Sequence, residues 1–286
     1  MACHVLIVGC GDVGQRIAAH HLAAGDAVTG LVRSAASAQT LTARGIMPLQ
    51  ADLDADWLMP LADAVYWCAP PPAGGGTDPR IERALAQWPV AQGGRPGRLL
   101  YVSTTGVYGD CQGRWIREAE PLKPQTARGF RRLAAELAVH TWTASSGGHA
   151  VVLRVPGIYG PGRLPVERLK SGAPVLALAE SPWSNRIHAD DLADAAVLAL
   201  ARGQRRATYH VSDGQPTSMS DYLLRTAAAL GLPPPAQVTM TEARAGFSAT
   251  LLSYLDESKR LDCTALRALA WQPRYPTLAQ GLAACL

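Results

Sequence analysis

Short, unbroken apolar runs recur through the first 155 residues, at 5–8, 27–32, 46–50, 64–68, 98–103 and 150–155. Runs of this length with no polar interruption suit strands that are buried on both faces. Helical spacing fills several of the gaps, from residue 12 to about 24, at 79–88 and at 126–145. Alternation of this kind predicts a parallel sheet covered by helices on both sides, doubly wound through right-handed crossovers. Beyond residue 156 the pattern loosens. A loop at 160–165 leads to a short helix at 166–171 and an amphipathic helix at 190–201, with Asp190 placed to cap it. A strand at 208–211 and a helix at 218–230 follow, and the run Gly231, Leu232, Pro233, Pro234, Pro235 then breaks the chain. The last fifty residues predict a strand at 259–262 and helices at 264–269 and 278–284. There is no internal repeat, and the one low-complexity stretch is the loop 70–76, with three prolines and three glycines.

Composition narrows the class. With 286 residues, 48% apolar and 17% charged, the chain can bury a sizeable core and is not disordered. No apolar run approaches the roughly 20 residues of a spanning helix, and the first ten residues carry no basic segment or cleavage site. A soluble, cytoplasmic protein without membrane association is expected. The net charge of +4 is modest. The clusters Arg128/Arg131/Arg132 and Arg202/Arg205/Arg206 have no interleaved aromatic residues, so they predict solvated helix faces, not a nucleic-acid stripe. The six cysteines show no close-paired spacing and no clustered histidines accompany them, which points to reduced thiols and no metal site.

The chemistry begins at the first strand. Val8 is followed by Gly9, Cys10, Gly11, Asp12, Val13 and Gly14, a G-x-G-x-x-G between a strand and a helix. Gly9 permits the tight turn, Gly11 lets the backbone approach a pyrophosphate, and Gly14 lets the helix pack against the strand. The helix start at Asp12–Val13 offers free N–H groups and a positive dipole end. At the end of the second strand, where an NAD site carries an acid, stand Arg33 and Ser34. A cation there suits a 2′-phosphate, so NADP is expected over NAD, which remains possible. Asp52, after the third strand, is placed either to accept from the adenine amino group or to form a turn.

The segment 101–109, Tyr-Val-Ser-Thr-Thr-Gly-Val-Tyr-Gly, together with the glycine loop, resembles the extended short-chain dehydrogenase/reductase superfamily of NAD(P)-dependent epimerases and dehydratases. Leu153-Arg154, the run 158–163 and the run 185–193 extend the likeness to about residue 215. The resemblance implies a Rossmann sheet of order 3-2-1-4-5-6 over residues 1–160, to which the chain returns at about 186–211. A smaller C-terminal α/β substrate portion occupies 161–286. It implies a cofactor lying past Ala69 and Pro70, with the loop 70–76 near the nicotinamide end and Pro156 and Gly157 flanking the ring. It also implies a Ser/Thr, Tyr and Lys catalytic set. Thr104 matches the hydroxyl position, but by register Arg128 replaces the tyrosine and Arg132 the lysine, as in atypical members that lack the tyrosine.

An arginine cannot shuttle a proton, though it can stabilise a developing oxyanion. Thr104 and Arg128 are therefore the expected catalytic residues, with Tyr108 or Tyr159 as a displaced acid. Arg186, sharing a strand face with His188, is expected to bind an anionic or strongly accepting group of the substrate. Two readings stand at this point. One is an NADP-dependent oxidoreductase or epimerase-like enzyme for a small carbonyl, alcohol or imine substrate. The other is a non-catalytic NADP(H)-binding sensor or scaffold.

Overall fold

The computed structural model describes residues 2–88 and 97–286. Seven strands form one parallel sheet: β1 (His4–Val8), β2 (Ala27–Val32), β3 (Met47–Gln50), β4 (Ala64–Trp67), β5 (Arg98–Thr104), β6 (His149–Val155) and β7 (Thr208–His210). Their order across the sheet is β7-β6-β5-β4-β1-β2-β3. The expected order of the first six holds, and β7 adds a seventh beside β6, with Tyr209 level with Leu153.

Alternate residues of each strand feed two separate cores. Val5, Ile7, Tyr66, Leu100, Val102, Val151 and Leu153 pack beneath helices α1 (Asp12–Ala23), α2 (Ala35–Ala43) and the later α6 (Ala189–Arg202). Leu6, Val8, Val65, Trp67, Leu99, Tyr101 and Val152 pack beneath α3 (Pro79–Gln87) and α4 (Ala127–Ser146). Period-two burial on both faces explains why these strands lack polar positions. Helix α2 was not predicted. Its sequence is Ala, Ser, Thr and Gln around a single buried Leu41, so it shows almost no apolar stripe.

The C-terminal portion builds a third core from Tyr159, Leu169, Val175, Tyr222, Leu223 and Leu278. It includes α5 (Val166–Lys170), α7 (Met219–Ala229), α8 (Met240–Gly246), α9 (Ala249–Leu255), α10 (Thr264–Arg267) and α11 (Leu278–Ala283). Helices α8 and α9 are short and were also unpredicted. Residues Arg186–His188 pair in parallel with Gly157–Tyr159. The chain thus leaves the sheet after β6, returns through α6 and β7, and leaves again.

One cap differs from expectation. His188, not Asp190, caps α6, because His188 Nδ1 accepts from the Asp190 amide at 3.2 Å. The Asp190 carboxylate instead pairs with Arg16 of α1. Among the described residues, no helix is long and apolar enough to cross a membrane, and no cluster of His, Cys, Asp or Glu is placed to hold a metal.

Candidate functional site

The carboxyl ends of the strands open onto three cavities that share walls. The first, about 480 Å³, is lined by Gly9, Gly11, Arg33, Ser34, Asp52, Ala69, Pro70 and Arg80, among others. The second, about 320 Å³, shares Gly9, Gly11 and Cys68 with it and adds Asp12, Val13, Gly14, Thr104, Arg132 and Pro156. The third, about 490 Å³, shares Thr104, Pro156, Ile158 and Arg163 with the second and runs on to Arg128, Gly157, Arg186, Tyr222, Tyr254, Glu257 and Lys259. Nearly every residue expected at the site lies along this path.

The glycine loop is tightly packed at Gly9 and Gly14 and open at Gly11. Gly9 has φ +80°, and a Cβ on it would lie 2.6 Å from the Ala69 amide nitrogen. A Cβ on Gly14 would lie 2.9 Å from Ile7 Cγ2, so α1 can press onto β1 only without one. A Cβ on Gly11 would meet nothing within 4 Å, so open space lies over the start of α1. The backbone there and the N–H groups of the first turn of α1 face that space.

Arg33 is exposed at the end of β2, and no carboxylate pairs with it among the described residues. Arg80, across the same cavity, is held by Asp54 and donates to the Pro70 carbonyl at 3.1 Å. Ser34 caps α2 by accepting from the Ser37 amide at 3.2 Å. Cys10 and Cys68 border these cavities as thiols that burial pushes up to about 12, so they serve as small apolar groups. Pro70 falls in the first cavity, with Arg33, and not in the one that holds Thr104. Further along the same loop, the Gly75 carbonyl accepts from Arg131 of α4 at 3.3 Å, so the loop runs from the first cavity toward α4.

Thr104 ends β5 and accepts from the Gly106 amide at 3.3 Å, capping a single 3₁₀ turn, Thr105–Tyr108. Among the described residues its hydroxyl proton meets no acceptor. Arg128 and Arg132 lie a helical turn apart on α4, capped by Thr126, and both face inward. The expected solvated face is corrected for this pair. Arg128 places its guanidinium 3.9 Å from the centre of the Tyr254 ring. Arg132 donates to the Val102 carbonyl at 2.7 Å and the Tyr101 hydroxyl at 3.1 Å.

Tyr108 is not a displaced acid. It is 1% exposed, and its hydroxyl donates to His210 Nε2 at 2.5 Å and accepts from Arg154 Nη1 at 2.6 Å. Burial also pushes its pKa up, so it holds its proton more tightly than a free tyrosine. Tyr159 is equally buried and lies against Gly281. The tyrosines that do reach the third cavity are Tyr222 and Tyr254, which sequence reasoning did not single out.

Gly157 lines the third cavity and not the second, so it faces the ligand side. Arg186 lies beside it, 7% exposed, donating to the Asn185 carbonyl at 2.8 Å. Neither Asp190 nor Asp191 pairs with it. Asp191 accepts from the amides of Arg274 and Tyr275. Asn185 fixes the opposite wall by donating to the Lys259 carbonyl and accepting from the Leu261 amide, both at 3.0 Å. Lys259 in turn lies 2.6 Å from Glu257.

A family model described as NAD dependent epimerase/dehydratase family matches residues 5–212. The chain belongs to this family. Among family-like proteins, YeeZ of Escherichia coli (strain K12) is 30% identical over 242 residues, covering 81% of this chain and 85% of YeeZ. A solved structure of a functionally unknown conserved protein from Silicibacter pomeroyi DSS is 28% identical, with TM-score 0.81 over 99% of this chain and 98% of that one. The UDP-glucuronic acid 4-epimerase of Bacillus cereus, solved in complex with NAD, has TM-score 0.78 at 17% identity, covering 98% of this chain and 96% of that one. At that identity the likeness is one of fold. The match extends past the sheet to residue 212, which includes Thr104, Arg128 and Arg186.

Proposed function

We propose that this chain is an oxidoreductase or epimerase-like enzyme that holds NADP in preference to NAD and acts on a small carbonyl, alcohol or imine compound. The observation that carries the reading is the row of adjoining cavities from Arg33, past the open face of Gly11, to Thr104 and on to Arg186. Gly9, Gly11 and Gly14 with the start of α1 hold the pyrophosphate. Arg33 and Ser34 hold the 2′-phosphate, and Asp52 the adenine. When bound, the nicotinamide supplies or accepts the electron pair and hydrogen that such a reaction exchanges.

Thr104 donates its hydroxyl to the reacting oxygen or nitrogen. Arg128, at the first turn of α4, stabilises negative charge there, and losing one such donor costs roughly 100- to 1,000-fold in rate. Neither residue type serves as a general acid or base. The side chains of the cavity that belong to the usual general acid or base types are Tyr222, Tyr254, Glu257 and Lys259. A second reading, a cofactor-binding protein without turnover, is favoured by Arg128 and Arg132, which are already engaged with Tyr254 and the Val102 carbonyl.

Calorimetric titration with both cofactors, followed by NADPH consumption against a panel of carbonyls and imines, tests the reading. NADP is expected to bind more tightly, and Arg33→Asp to erase about 1–3 kcal/mol of that preference. Equal affinity of the native protein for NAD and NADP refutes the 2′-phosphate assignment. Consumption that falls in Thr104→Ala and Arg128→Ala supports the enzyme. Tight NADP binding with no consumption supports the second reading.

A further inference from the structure

The third cavity is lined by five cations, Arg128, Arg163, Arg168, Arg186 and Lys259, against one carboxylate, Glu257. Three of the cations have partners. Arg163 lies 3.3 Å from Asp12, Lys259 lies 2.6 Å from Glu257, and Arg128 stacks on Tyr254. Arg168 and Arg186 have no carboxylate partner among the described residues. A guanidinium has five donors. Arg186 spends one on the Asn185 carbonyl and lies 4.6 Å over the Tyr222 ring. Arg168 gives one donor to the Pro174 carbonyl at 3.1 Å, while its Nε is buried without a partner.

Burial pushes both groups below the ordinary arginine value, yet both stay charged at neutral pH. Outside the cavity wall, the carboxyl that acts on Arg186 through space is Asp213, which burial pushes up to about 7. Near neutrality it is therefore only partly ionised and gives Arg186 a partial counter-charge. Buried charge without a counter-ion is costly to a fold, and a ligand that supplies the missing charge removes the cost. Gly157 fits this purpose. A Cβ there would lie 2.7 Å from Arg186 Nη1, so the guanidinium lies over the strand Gly157–Tyr159 at the position that carries no side chain.

Resting on the reading above, we propose that Arg168 and Arg186 form a two-arginine seat for the oxyanion head of the substrate, which is a small carbonyl compound bearing a carboxylate or a phosphate. Paired guanidinium groups suit the planar fork of a carboxylate or the tetrahedral face of a phosphate. A cavity of about 490 Å³ lies toward the small end of the ligand-pocket range and favours a compact molecule.

The test is calorimetric titration of the full chain, saturated with NADP, with three probes: pyruvate, dihydroxyacetone phosphate and the neutral hydroxyacetone. One or both anions are expected to bind at least about tenfold more tightly than hydroxyacetone. Tighter pyruvate assigns a carboxylate, and tighter dihydroxyacetone phosphate a phosphate. Arg186→Gln and Arg168→Gln are each expected to weaken anion binding about tenfold or more. Gly157→Ala is expected to weaken it with the charge unchanged. The half-buried Arg168 provides a variant that keeps its fold even if Arg186→Gln does not, and thermal midpoints report this. Anion affinity equal to that of hydroxyacetone, or untouched in the folded arginine variants, overturns the proposal. So does a lack of saturation by about 20 mM of either anion. NADP affinity is measured on the same samples without anion. Anion binding without NADP binding would refute the cofactor reading and leave the seat standing.

Discussion

Asp213 is a carboxyl held where water cannot reach it. It is 2% exposed, one oxygen accepts from the Gln215 amide at 2.9 Å, and the other has no partner. Burial raises its pKa to about 7, against an ordinary carboxylate value near 4. Between those values the folded protein holds a proton that the unfolded chain has released. Its contribution therefore favours folding at low pH and is lost as the pH rises through about 7. Asp213→Asn is expected to be more stable than the native protein at pH 8, by about 4 kcal/mol at most. That advantage should shrink by half or more at pH 5. Urea denaturation of both proteins at the two pH values measures it, and a constant difference would show that the carboxyl titrates normally. Nothing in the sequence around Asp213 signals this, because burial is a property of packing. Tyr108 teaches the same lesson from the other side. It stands in a motif that reads as catalytic, yet His210 and Arg154, distant in sequence, absorb its hydroxyl.

Helix α4 is held by a buried ion pair as well as by its apolar face. Glu136 accepts from Arg154 of β6 at 2.8 Å and from the Ser103 hydroxyl of β5. Gly129 presses the first turn against the 3₁₀ turn, where a Cβ would lie 2.8 Å from the Gly106 carbonyl. Together these contacts set Arg128 and Arg132 facing Thr104. Glu136→Gln leaves the Arg154 charge buried without a counter-ion and is expected to cost about 3–5 kcal/mol, read as a lower urea midpoint. Glu136→Leu combined with Arg154→Met should recover part of that loss; if it recovers none, the pair contributes through packing alone. At this scale much was legible. The sheet strands and α1, α3 and α4 agree with the apolar pattern within a residue or two, because continuous apolar runs and capped amphipathic helices leave clear signals. Helices α2, α8 and α9 were not legible. They are short, bury few side chains, and take their place from tertiary contact.

For the whole molecule, the glycine loop should act as a switch for ligand stabilisation without being part of the fold's support. NADP at about 100 times its dissociation constant is expected to add about 2.7 kcal/mol to stability. Gly11→Val should abolish that gain and leave the unliganded midpoint unchanged. Residue 11 has φ −81°, which a branched residue accepts, and a Cβ there meets no neighbour. An unliganded midpoint that drops sharply would place the loop among the structural supports. The cofactor half of the site was readable because one local motif builds it. The far wall was not, since Tyr222, Tyr254, Glu257 and Lys259 come from segments without a motif and meet only in the folded chain. The path of the backbone between these halves has a consequence for descent. The chain passes from the sheet to the ligand-side portion after β6, comes back for α6 and β7, and departs again. No single crossover between two genes can replace the ligand-side portion while leaving the sheet whole, because α6 and β7 would be carried off with it. A crossover after β7 can exchange α7 to α11 as a block, but the ligand-side positions before it, such as 157, 168 and 186, stay with the parent sheet and change by substitution.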